Sequence, residues 1–159
     1  MDKRLKDFLA ERRSIIKEKW FQEALIPYVA EERFFLRSQK NEFANPVGAT
    51  IRQVLDGLYD ALLEAMDSHP VAPLLESMIR IQAVQEFSPS RAVSFIPALK
   101  KIVRAELAKE IAEEGLGEEL WQLDAGIDRW TLLAFDLYMG CREKIFRIRL
   151  QERERPKPE

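Results

Sequence analysis

The chain has 159 residues, enough for one domain around one hydrophobic core, and its 47% hydrophobic and 33% charged residues exclude a disordered polymer. A net charge of −2 gives no global field toward nucleic acid or an anionic membrane, and the six bases against three acids from Arg142 to Arg155 alternate as on a solvated helix face. The longest apolar run, Trp130 to Phe135, is far below the ~20 residues of a membrane span, and no apolar run follows the basic N-terminus. No nucleic acid, no membrane insertion and a cytoplasmic location are therefore expected.

The apolar spacing is helical throughout, so the predicted class is all-α. A first helix is predicted from about Lys3 to Ile26, with Leu5, Phe8, Leu9, Ile16 and Trp20 on one face and Pro27 ending it. A shorter one, Tyr28 to about Ser38, carries Phe34, Phe35 and Leu36. Asn45 then reads as a cap and Pro46 as the first residue of a third helix through Ile51, Leu55, Leu58, Leu62 and Met66. The fourth, about Val71 to Gln85, turns Leu74, Leu75, Met78 and Ile81 inward. Ser88 and Pro89 repeat the start signal for a fifth, containing Phe95, Ile96, Leu99, Ile102, Val103 and Leu107, in which Pro97 predicts a kink. The last, about Glu118 to Glu154, is the longest, and Leu120, Leu123, Ile127, Trp130, Ala134, Leu137, Cys141, Ile145 and Ile148 form its near-heptad seam. Trp20, Ile96, Leu99, Trp130 and Leu137 are the expected core. Helices so unequal, with internal prolines, fit an irregular globin-like packing better than a symmetric bundle.

Chemistry-bearing residues are few. His69 is the only histidine and stands directly before Pro70, which pushes it toward an extended helix boundary rather than a helix face over an apolar pocket. No haem, metal or other cofactor is expected. Cys141 is the only cysteine and falls on the seam as a small apolar residue. One histidine leaves no nucleophile triad, and the sequence has no glycine-rich phosphate loop and no paired-carboxylate signature, so no catalysis is expected. Met78, Gln82 and Gln85 share a helix face. Core-facing glutamines need partners, which a ligand pocket or the backbone of the turn at FSPS would supply.

The long last helix points to a homodimer, in which that helix and the first one are expected to supply most of the contact. A helix of about 35 residues spans about 50 Å, more than one small domain covers, yet Ile145, Phe146 and Ile148 keep it apolar near its free end. They are the candidate dimer contact.

Three stretches together carry a family resemblance: FANPVGATIRQVLDGLYDAL (Phe43 to Leu62), IRIQAVQEFSPSRAVSFIPALKKIVR (Ile79 to Arg104) and DRWTLLAFDLYMGCREKIFRIRLQERER (Asp128 to Arg155). They resemble the N-terminal domain of the RsbR-type proteins that antagonise the RsbT kinase in bacterial stressosomes, the RsbRD subgroup in particular. The resemblance implies a globin-like, non-haem helical fold with a long C-terminal helix, dimerisation, a sensory or scaffolding role without catalysis, and a STAS protein or switch kinase as signalling partner. Family members continue through a helix into a STAS domain. Here the expectation is a helical sensor domain over residues 1–155, a disordered tail over 156–159 and no STAS domain. The alternative is a free-standing helical adaptor or small-ligand-binding protein unrelated to kinase control.

Overall fold

The computed structural model describes residues 1–64 and 70–155, and among them all regular structure is helical. Among the described residues there are nine helices: α1 (Lys3–Glu11), α2 (Arg13–Ala24), α3 (Ala30–Ser38), α4 (Pro46–Leu63), α5 (Val71–Val84), α6 (Pro89–Val93), α7 (Phe95–Glu106), α8 (Ala108–Glu114) and α9 (Gly117–Glu154). The expected tail over 156–159 lies outside the described residues. Helix α9 is the spine, with α5, α6 and α7 packed along it; α4 lies on α5, and α2 bridges α4 and α7.

Two of the predicted helices are broken where no proline or glycine announces it. The first divides at Arg12, and the Leu9 carbonyl, one turn before Arg13, accepts the buried Tyr59 hydroxyl at 2.7 Å. The fifth divides at Ser94 and again at Leu107, a residue with no exposed surface. Pro97 produces no mid-helix kink because it is the third residue of α7, where its missing amide has no intrahelical partner to lose. Ser88 stands at the start of α6 but caps no amide; its hydroxyl lies 3.4 Å from that of Ser90.

Asn45 behaves as its position predicts and does more. It is 3% exposed, and its side-chain oxygen accepts from the Gly48 amide at 2.9 Å. Its amide nitrogen donates to the Leu36 and Gln39 carbonyls at 3.0 and 3.1 Å, fastening the end of α3 to the start of α4. The fit leaves no room for a side chain at position 48, where a Cβ would come within 2.3 Å of the Asn45 nitrogen.

Trp20, Ile96, Leu99 and Trp130 lie in the core as expected, and the Trp20 indole donates to the Phe95 carbonyl at 2.6 Å. Leu137 does not: it is half-buried at the core's edge, and Tyr138 takes the inward position. The α9 seam is buried through Leu120, Leu123, Ile127, Trp130 and Ala134, then shifts by one residue.

Two outcomes follow. Asn45→Ala removes a cap and leaves carbonyls without donors, so urea unfolding should register a loss of about 2–3 kcal/mol, and Asn45→Asp, which keeps the acceptor but not the donors, should not restore it. Trp130→Ala should cost about 3–5 kcal/mol, whereas Leu137→Ala should cost only about 1 kcal/mol; equal losses would contradict the assigned phase of α9.

Candidate functional site

Helix α9 has two apolar faces. The inner one forms the core. The outer one carries Leu132, Phe135, Met139, Phe146 and Leu150, all exposed, with Leu132 at 69% and Phe146 at 62%. Leu132, Met139 and Phe146 recur every seven residues, with Phe135 three residues after the first and Leu150 four after the last. That is the spacing of a helix-pairing stripe. Nothing in the described chain covers it.

Of the residues expected at a dimer contact, Phe146 lies on this stripe. Ile145 is half-buried and leans on the chain's own core, while Ile148 is exposed and continues the inner seam past the part that the domain covers. The three are therefore not on one face. Sequence reasoning followed the inner seam and missed the outer stripe, although its heptad spacing is written in the same segment.

The polar part of α9 grips one turn. Helix α5 ends at Val84, and the Gln85 and Glu86 amides close its end on the Ile81 and Ala83 carbonyls at 3.2 Å. Arg142 donates to the Ala83 carbonyl at 3.2 Å, the Tyr138 hydroxyl donates to the Phe87 carbonyl, and Arg149 binds the Glu86 carboxylate at 2.7 Å. The hydrogen bond from Arg149, with its charge, holds the Glu86 carboxyl below the ordinary range, and burial raises the Tyr138 phenol. Glu86 itself has φ 58°, a left-handed conformation that a residue with a Cβ adopts at a cost. On the turn's far side the Phe87 ring meets Tyr28 edge-on at 5.1 Å, and Arg91 reaches over Phe87 to donate to the Pro27 carbonyl at 2.6 Å. One turn thus joins α9 to the connection between α2 and α3.

Beside it lies a hollow of about 390 Å³ lined by Tyr28, Glu31, Glu32, Phe35, Val47 and Gln85, with Leu36 as apolar floor. The Tyr28 hydroxyl is sealed from solvent and has no hydrogen-bond partner. Burial, reinforced by the Glu32 charge, pushes its phenol up to about 12. Among the expected pocket residues, Gln85 lines this hollow. Met78 and Gln82 are buried in the core instead, and Gln82 Oε1 is there without a partner.

A second groove, between α2 and α4, is lined by paired charges: Arg13, Lys17, Glu18, Arg52 and Asp56. Arg13 pairs with Asp60 at 2.6 Å, Arg52 with Glu18 at 3.3 Å, and Lys17 with Asp56. His69, on which the haem question turned, lies outside the described residues. Cys141 is half-buried against the core. Among the described residues no cluster of three metal-ligating side chains occurs, and no helix is long and apolar enough to cross a membrane.

Comparison with known proteins agrees with the helical architecture. An uncharacterized protein of Archaeoglobus fulgidus is 25% identical over 144 residues, covering 91% of this chain and 85% of the relative. No solved structure matches the chain significantly. The family described as the RsbT co-antagonist protein rsbRD N-terminal domain matches residues 22–153, from the end of α2 almost to the end of α9. Its members are regulatory signalling domains, and with an all-α, globin-like fold and a long final helix this chain belongs to that family.

Proposed function

We propose that the chain is a non-enzymatic sensory domain of stressosome-type signalling that works as a cytoplasmic homodimer, with α9 as both the dimer element and the output. The observation that carries this reading is the outward stripe of α9. At 38 residues the helix spans about 57 Å, against a radius of gyration of about 15 Å for a domain of this size. Five large apolar side chains on one face, three of them at a strict seven-residue repeat, left bare on a helix that long, fit a second copy of the same helix. A two-fold pairing is the commonest arrangement for a self-complementary face.

The family description supports the signalling role, with a STAS protein or switch kinase as the partner reached through α9. Arg149 is the last α9 side chain that bonds to another element among the described residues, so the final turn presents alternating charges, Glu152, Arg153 and Glu154, outward. A signal acts if it favours one packing of α9 over another, by as much as its affinities for the two differ. The reading has no role for catalysis, haem or metal.

Sedimentation equilibrium at micromolar concentration tests the dimer. The expected result is a dimer for the native chain and a helical monomer for Leu132→Glu combined with Met139→Glu. A native monomer would defeat the reading, as would a dimer indifferent to both substitutions.

A further inference from the structure

The hollow between α3 and the turn that follows α5 has a chemistry of its own. Its floor is apolar and aromatic, from Phe35, Leu36 and Val47, and its volume of about 390 Å³ lies within the range of small-molecule sites. Two carboxylates, Glu31 and Glu32, stand on its wall, and no cationic side chain lines it. Neither carboxylate has an ion-pair partner among the described residues, in contrast to the paired charges between α2 and α4. Tyr28 adds a hydroxyl, sealed from solvent, that the protein leaves unpartnered.

We infer that this hollow receives a small organic cation, an ammonium group attached to an apolar body. The apolar body covers Phe35, Leu36 and Val47. The ammonium lies between the two carboxylates and against the face of the half-exposed Phe35 ring, where a cation gains from both. The Tyr28 hydroxyl, sealed while the two walls are together, becomes a neutral donor or acceptor for the guest as they part.

Occupancy has a route outward. Gln85 lines the hollow and is also the residue that ends α5, directly before left-handed Glu86. The carbonyls of Ala83 and Phe87 and the carboxylate of Glu86, on either side of Gln85, are the groups that Arg142, Tyr138 and Arg149 hold from α9. The opposite wall, α3, buries only Leu36 of its nine residues, and its end is fastened to α4 by Asn45. A guest that spreads the two walls therefore displaces the turn and, through it, α9. This transmission rests on the sensory reading above, whereas the binding itself does not.

Isothermal titration of the full chain with three probes built on one phenyl ring separates the possibilities: 2-phenylethylamine as cation, 2-phenylethanol as neutral body and phenylacetate as anion. The amine should bind saturably, about tenfold tighter than the alcohol, with no detectable binding of the carboxylate. Glu31→Gln with Glu32→Gln, two surface changes that leave the core intact, should reduce the preference to about twofold or less. Val47→Trp should fill the hollow and abolish amine binding while the helical circular dichroism is kept. No saturable binding by the amine, equal binding of all three probes, or an unchanged preference in the double variant would each overturn the site. Amide hydrogen exchange with the amine bound tests the transmission separately: altered protection is expected at residues 85–88 and 138–149, and unaltered protection there with binding intact would overturn the route to α9 and leave the site standing.

Discussion

The turn that follows α5 is fastened from another helix, and the setting of α9 in the domain depends on that grip. A helix leaves its final carbonyls without amide donors, and where they are shut away from water each lost bond costs about 1–3 kcal/mol. Here the Gln85 and Glu86 amides reach the Ile81 and Ala83 carbonyls at 3.2 Å, and α9 adds further donors. Arg142 takes the Ala83 carbonyl and Tyr138 takes the Phe87 carbonyl, and the Arg142 charge also suits the negative end of the α5 dipole. The inner seam of α9 must therefore change character midway. From Leu120 to Ala134 it is a packing surface, and from Tyr138 onward it is a set of hydrogen-bond donors aimed at one turn. The register of α9 against α5 is fixed by both, because rotating the helix to improve one would break the other.

That grip also explains how Glu86 holds a left-handed conformation without being glycine. An isolated residue with a Cβ loses about 1–2 kcal/mol in that region. The bond from Arg149 to the Glu86 carboxylate is solvent-exposed and worth less than this on its own. The two carbonyl bonds on either side, in more protected positions, supply the rest. The turn is thus held by its neighbours rather than by its own preference, and such a segment is the natural place for a second conformation. Its contacts with Tyr28 and Pro27 extend any rearrangement to the junction of α2 and α3.

Much of the fold was legible because its signals were local. Asn45 before Pro46 marked a helix start correctly, and the helical spacing of Trp20, Ile96, Leu99 and Trp130 identified core residues. What stayed hidden was tertiary. Arg12 and Leu107 are ordinary helix formers, and the chain divides there beside Leu9, whose carbonyl meets Tyr59 from α4, and at a Leu107 that is itself fully buried. Pro97 was visible, but whether a proline bends a helix or lies in its first turn depends on where the helix begins, and the break at Ser94 decided that. Of the site, Gln85 was found by its spacing from Met78 and Gln82, although those two face the core. Tyr28, Glu31 and Glu32 gave no signal, since their meeting with Gln85 depends on how α3 folds back over α4.

The misplacement of Leu137 and the oversight of the outer stripe have one cause. An α-helix turns once in 3.6 residues, so a seam followed in heptad steps drifts by about 20° per heptad around a straight helix. The inner seam, anchored to the domain, corrects for this drift by moving to Tyr138. The outer stripe does not: Leu132, Met139 and Phe146 keep strict sevens. Over the two heptads from Leu132 to Phe146 it winds by about 40° relative to the inner seam, still within the width of about 100° that an apolar helix face spans. A partner helix laid along it would have to coil with it, and only over this short length can α9 serve the domain on one side and a partner on the other. The same limit links the two. Any turn of α9 would move the stripe out of alignment with a partner laid along it. A stripe this short would make such a pairing responsive to how the helix is held.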